Sequence, residues 1–243
     1  MSKCKCASLI FLLIIIPGIS SCHHTNQTSI EQSPALEIVS STPPFPTKEP
    51  DHYRAVRTVT RIDPGGQSTA TRTLISRDGP FRREEIDGGG PEKLVYLERS
   101  GQRYLILPDR KLYAEIDAQF TIPGSVENDP ADSSPDRLLH VESVQTIYQK
   151  LANEILDGRS VSKYKVTVNA PGGGSVSNTV TMIWVDEKLG MPVKSETSTN
   201  NGARVTMELS SISEAVNKTD FDIPAGYQKV TAVQLLARTK HSE

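Results

Sequence analysis

Cysteine is nearly absent from this chain. Of the three in 243 residues, Cys4 and Cys6 fall in a segment built like a signal peptide, which leaves Cys22 as the one cysteine of the processed chain. Such a chain has no intramolecular disulfide and no Cys-based zinc site, so its stability rests on an ordinary core. Long apolar runs are absent too. Ala7 to Ile16, at ~1.5 Å per residue, covers only about half of the ~30 Å hydrocarbon layer, and nothing after it approaches spanning length. Basic runs are also missing. Lys and Arg number 27 against 29 Asp and Glu, and losing Lys3 and Lys5 with the signal leaves 25 against 29, a formal −4. A mildly acidic chain of this kind is a poor partner for nucleic acid.

The N-terminus, by contrast, is informative. Lys3 and Lys5 form a basic region, Ala7 to Ile16 an apolar one, and Ile19-Ser20-Ser21-Cys22 closes the segment. This pattern resembles the bacterial lipobox. The resemblance implies cleavage between Ser21 and Cys22, a diacylglycerol (palmitate-type) lipid on the Cys22 sulfur and acylation of the freed amine. At ~0.8 kcal/mol per buried methylene, two or three acyl chains hold a protein stably on a membrane. His23 follows the cysteine where inner-membrane retention in enteric bacteria uses aspartate, which points to the outer membrane, facing the periplasm.

Three segments are expected: residues 1–21 as the lipoprotein signal, 22–50 as the lipidated Cys22 and a tether, and 51–243 as a single domain. Thirteen of the twenty-eight residues from His23 to Pro50 are Ser, Thr or Pro, a composition that buries too little apolar surface to offset its ordering entropy. As a flexible coil this length spans roughly 30 Å. His23-His24 lack a third ligand and a fixed geometry, so no metal site is expected there.

From His52 onward the pattern has period two, with turn residues at short spacing, the signature of antiparallel strands. Runs at 56–62, 69–77, 81–87, 93–97, 103–107 and 111–116 are separated by Asp63-Pro64-Gly65-Gly66, Asp78-Gly79-Pro80, Gly88-Gly89-Gly90, Ser100-Gly101 and Pro108-Asp109. Between Phe120 and Leu156 the reading is open. Ser134-Pro135 with Leu138, Leu139, Val144, Ile147, Tyr148 and Leu151 favours a short helix followed by a strand. Tyr148 to Leu156 also reads as a strand, because Asp157-Gly158 is a hairpin turn into Lys163 to Val168. Further on, 176–185, 192–199 and 204–212 are strands, with Asn200-Asn201-Gly202 a hairpin signal, and Val230 to Arg238 has helical spacing. On 176–185, Val180, Met182 and Trp184 share one face and Ile183 and Val185 the other, so both faces meet apolar surface.

Ile183-Trp184-Val185-Asp186, then Leu189-Gly190-Met191-Pro192-Val193-Lys194, then a hairpin and Phe221-Asp222-Ile223-Pro224-Ala225-Gly226-Tyr227, resemble the C-terminal half of proteins related to the bacterial lipoprotein carriers LolA and LolB. Lys111-Leu112-Tyr113 after a proline turn is similar to their first half, and the resemblance covers about 52–230. It implies a mainly β fold with a few helices (α+β), an incomplete, curved antiparallel barrel whose open side is covered by helices and whose cavity binds acyl chains. A lipid anchor makes the chain closer in kind to LolB than to soluble LolA.

No catalytic constellation stands out, and no enzyme activity or cofactor is expected. Ser175 after Gly172-Gly173-Gly174 has neither a nucleophile elbow nor a phosphate loop around it. His52, His140 and His241 are scattered, and Asn128, Asp129 and Asp132 lack the rest of a calcium loop. The acidic pairs Glu84-Glu85 and Asp186-Glu187 read as solvated strand ends. Trp184 is the one candidate ligand-facing aromatic. Two functions follow as expectations: binding of a lipid or acyl chain, with a part in lipoprotein or lipid traffic, or a non-enzymatic structural or interaction module of an envelope complex. A hydrolase ranks last, for want of a nucleophile and base.

Overall fold

β-branched residues alternating with polar ones, broken every eight to twelve residues by glycine, proline or aspartate, fold here as they must: into short strands paired with their chain neighbours. The computed structural model describes residues 37–40, 42–87, 93–117, 145–170, 177–198 and 202–239, all within one unit spanning Pro34–Glu243. Among the described residues there are fourteen strands: β1 (Glu37–Val39), β2 (His52–Ile62), β3 (Ser68–Asp78), β4 (Phe81–Asp87), β5 (Leu94–Arg99), β6 (Gln102–Leu107), β7 (Leu112–Ile116), β8 (Gln145–Lys150), β9 (Glu154–Leu156), β10 (Arg159–Ala170), β11 (Ser177–Asp186), β12 (Met191–Ser198), β13 (Arg204–Ser213) and β14 (Gln228–Lys229). One helix, α1 (Ala232–Thr239), and two 3-10 turns, Pro108–Arg110 and Lys218–Phe221, complete the described elements.

The strands form one sheet in the order β1-β8-β10-β11-β12-β13-β2-β3-β4-β5-β6-β7-β14, with β9 paired to β10 beside β8. All pairs are antiparallel except β14 on β7. The sheet is open: its two ends, β1 and β14, are not joined. The mainly β class with few helices holds, and the barrel is not closed. Local hairpins do most of the work. Ser100-Gly101 and Asp157-Gly158 both have positive φ at each residue (52° and 78°; 49° and 76°), the two-residue geometry whose twist matches the flanking strands.

Two segments differ from expectation. The helix expected from Ser134 lies outside the described residues up to Val144, but Gln145–Lys150 is a strand; of the alternative strand read over Tyr148 to Leu156 only the two ends are strand, in β8 and β9, and 151–153 lie between them. Ile147, Tyr148 and Leu151 fit a helical spacing, yet β10 on one side and β1 on the other give β8 its backbone partners, and long-range pairing overrides a short local pattern. The segment assigned to the tether joins the fold from Glu37 onward: Glu37, Ile38 and Val39 pair with Gln149, Tyr148 and Ile147, and Phe45 is buried. Its Ser/Thr/Pro composition hid the few apolar residues, Ile38 and Phe45, that hold it.

Residues directly opposite across neighbouring strands share a face, so the register defines a front and a back. The front carries the row Ala55, Ile75, Glu84, Tyr96, Leu105 and Ala114 from β2 to β7. At the β7 end, α1 lays Leu235 on Leu105, Leu107, Leu112 and Ala114. At the β8 end, Phe45 covers Tyr148, Tyr164, Val166, Ile183 and Val185. On the back, Phe221 packs on Val95, Leu97 and Ile106. A register shift between Trp184 and Val185 interrupts the alternation. One buried cluster runs through it, joining Trp184, Val161, Met191 and Val193 to Met207, Leu209, Tyr53, Ala55 and Ile75. Both faces of β11 therefore meet apolar surface, as its sequence implies.

Candidate binding face

The middle of the front face is ionic. Strand alternation places Tyr53, Arg77 and Arg82 in one front row and Leu209, Arg57 and Thr73 in another, with Glu84 in the row between. Arg57 Nη2 donates to Glu84 Oε2 at 3.2 Å, and both side chains are buried, Glu84 at 2% exposure. Arg82 bonds to Glu84 and to Glu49. Arg77 Nη1 donates to Glu49 Oε2 at 3.1 Å and to the Glu49 carbonyl oxygen at 3.0 Å, and its Nη2 reaches Asp51 Oδ1 at 3.2 Å. The Tyr53 hydroxyl donates to Glu49. Burial, with Glu49 beside it, pushes the Tyr53 phenol well above its ordinary value. Burial works against the Arg82 charge, but Glu84 and Glu49 outweigh it and keep the guanidinium protonated.

Three arginines thus meet three carboxylates. Buried pairs of this kind recover their desolvation cost only when their remaining hydrogen-bonding groups are met. One is not: among the described residues, Arg57 Nε is the buried side-chain atom with no hydrogen-bond partner. Glu84 corrects its reading as a solvated strand end, since it is buried. Its neighbour Glu85 lies on the other side of the same strand and pairs with Lys93 at 3.4 Å.

Asp186 is corrected in the same way. Its side chain is 1% exposed and bonds to Arg159. It also accepts from the backbone N–H groups of Lys188 at 2.9 Å and Leu189 at 2.6 Å, so it shapes the β11–β12 turn that ends at Gly190 with φ +68°. Burial alone would raise its carboxyl pKa, but the hydrogen bonds from Arg159 and from the Leu189 and Lys188 amides hold it below the ordinary value.

Trp184 sits on the back, in the row with Lys163 and Lys194. Its ring lies between their ammonium groups, 4.8 and 5.0 Å from the centroid, a cation–π arrangement. Its indole N–H donates to Glu154 Oε2 at 2.8 Å, and Lys163 donates to the other Glu154 oxygen at 2.7 Å. These bonds, from Lys163 first and then Trp184, hold the Glu154 carboxyl below its ordinary value. Cys22 and Ser21, and likewise His140, His241, Ser175, Asn128, Asp129 and Asp132, lie outside the described residues. His52 begins β2 and pairs with Asp78 at 2.7 Å. No cluster of three metal-ligating side chains occurs among the described residues.

The sequence reading missed Phe45, Glu49, Arg57 and Glu84. A signal existed for two of them: Arg57 shares the inward phase of Ala55 and Val59, and Glu84 stands two residues before Ile86, a charge on an apolar phase in each case.

No protein-family model and no curated protein sequence matches the chain. Solved structures similar to it include MucB, at 10% identity over 75% of this chain and 60% of that one, with a TM-score of 0.46. The Pseudomonas aeruginosa MucA/MucB complex follows at 14% identity over 74% and 59%, with a TM-score of 0.40. A LolA superfamily protein from Nitrosomonas europaea is similar at 11% identity over 71% and 90%, with a TM-score of 0.32. The chain spans less than two thirds of the length of MucB.

Proposed function

We propose that this chain is a non-enzymatic binding module of the bacterial cell envelope. It is cleaved between Ser21 and Cys22, held on the outer membrane facing the periplasm by acyl chains on Cys22, and takes a polypeptide partner on its front face. The observation that carries this reading is the buried Arg57–Glu84–Arg82 network in the middle of that face, with Arg57 Nε unpartnered. An alkyl chain laid on the network desolvates the partly exposed guanidinium groups of Arg77 and Arg82 and offers nothing in return. A polypeptide brings carbonyl oxygens that can accept from those same groups. The apolar ends of the face add weight, since the chain's own Phe45 and Leu235 already fill them.

A second reading, carriage of an acyl chain in lipoprotein or lipid traffic, is favoured by the cluster under α1. Leu105, Leu107, Leu112 and Ala114 with Leu235 are wholly aliphatic, the surface an acyl chain wants at about 25 cal/mol per Å² buried. Native mass spectrometry of the processed chain carrying Cys22→Ser, incubated with phospholipids and a diacylated lipopeptide, decides between the two. The interaction reading expects the bare protein mass throughout. A lipid adduct that disappears with Leu235→Asp sinks it in favour of carriage.

A further inference from the structure

The described residues between β1 and β2 form a strap held at both ends, and the manner of its attachment points to a ligand. β1 adds three residues to the outer edge of β8, pairing Ile38 with Tyr148, and Ser40 N extends the ladder to the Thr146 carbonyl at 3.2 Å. Further along, Phe45, 7% exposed, packs edge-on against Tyr148 with ring centroids 5.9 Å apart and tilted against Tyr164 at 4.6 Å. From there it reaches Glu49, which is latched by Arg77, Arg82 and Tyr53, and enters β2. The strap thus holds by an edge strand, an aromatic plug and an ionic latch. It joins the sheet without a hairpin turn to its strand partner: β1 and β8 are more than a hundred residues apart. Its edge strand is minimal, with Val39 62% exposed on the outside.

These are the parts of peptide recognition by strand addition: backbone bonds to a sheet edge for affinity, and a side-chain seat for specificity. We propose that the β8 edge and the aromatic seat formed by Tyr148, Tyr164 and Ile183 are a binding site for an extended peptide of another protein carrying an aromatic residue about six positions beyond its paired strand. Residues 38–45 are the built-in occupant that closes this site until a partner displaces them. The inference rests on the interaction reading above and names the class of partner. An intramolecular strap competes at a local concentration of order millimolar, so a partner peptide binds measurably only when the strap is weakened or outcompeted.

The test uses the processed chain with Cys22→Ser and a fluorescent peptide of the sequence 35–50. Phe45→Ala in the protein weakens the strap without touching the seat, and is expected to raise peptide affinity at least tenfold over the unaltered strap, with new amide protection at 146–150. Replacing phenylalanine by alanine in the peptide is expected to remove that gain. If Phe45→Ala does not give a folded protein by circular dichroism, Glu49→Gln, which loosens the latch alone, takes its place with the same expectation. A folded variant that binds the peptide no better than the unaltered chain overturns the proposal and makes the strap a fixed part of the fold. A variant that doubles its mass in light scattering by exchanging straps overturns it in favour of a second copy as the occupant. A lipid adduct in the native mass spectra defeats the interaction reading itself, whereas failure of the peptide alone leaves that reading standing.

Discussion

At the scale of the residue, Asp186 holds both a buried ion pair and a turn. It is buried, paired with Arg159, and the acceptor for two amides of the turn that returns β11 into β12. Removing one partner of a buried charged pair costs about 3–5 kcal/mol, and here the turn loses its organiser as well. Asp186→Ala is therefore expected to destabilise the domain by about 3 kcal/mol, read as the midpoint shift in urea unfolding followed by the emission of Trp184, the chain's single tryptophan. The pH dependence has a definite sign. The carboxyl is held below its ordinary value of 3.8 in the fold, so the stability it contributes is complete above that value and disappears as pH falls through the lower folded one. Asp186→Asn, which cannot titrate, should flatten that acid limb; an unchanged limb refutes the assignment. Asp186 was illegible as a buried group because β11 carries apolar residues on both phases, so neither phase marks a carboxylate as buried until its partner is placed, and Arg159 stands 27 residues away.

At the scale of the element, what was legible is what is local. The strand read at 81–87 is β4, that read at 204–212 differs from β13 by one residue at one end, and those read at 69–77 and 192–199 differ from β3 and β12 by one residue at each end, because alternation and turn residues lie within the segment they govern. β8 and β1 were not legible as a pair, since each takes its conformation from a partner more than a hundred residues away. The terminal helix read at 230–238 is α1, and its role is now specific. Leu235 is fully buried against Leu105, Leu107, Leu112 and Ala114, while Val233 points to solvent. Leu235→Ala is expected to cost about 2–5 kcal/mol, the range for truncating a buried leucine, with Val233→Ala nearly neutral. Hydrogen exchange should show α1 and the β7 amides opening together in the Leu235 variant, while the β2–β3 amides keep their protection. Equal loss across the whole sheet would mean that α1 is part of the central core and not a cover on its end.

At the scale of the whole molecule, the attachment of the strap changes the geometry expected of the anchor. A tether running to Pro50 gives twenty-eight residues after Cys22, a coil of about 30 Å; if the fold begins at Glu37, fourteen residues remain, and a coil of that length spans about 20 Å. The partner site proposed at the β8 edge then lies at the membrane-proximal end of the chain's own path, with its built-in occupant in direct series with the lipid. If Cys22 is acylated as proposed, anchor and strap are coupled: tension on the chain toward the membrane pulls first on β1, the outermost pairing at that edge. This coupling requires that Cys22 be acylated, which makes the anchor the first thing to establish. Two or three acyl chains hold a protein through washes that strip electrostatic binders, while a chain of formal charge −4 has little attraction of its own for anionic head groups. Cys22→Ser is therefore expected to move the protein from the membrane pellet to the soluble fraction and to abolish metabolic labelling with palmitate, while the unaltered chain stays in the pellet through high-salt and carbonate washes. If the serine variant remains in the pellet, the membrane is held by the folded domain itself. The strap would then be free of tension from the anchor, and its displacement would depend on the partner alone.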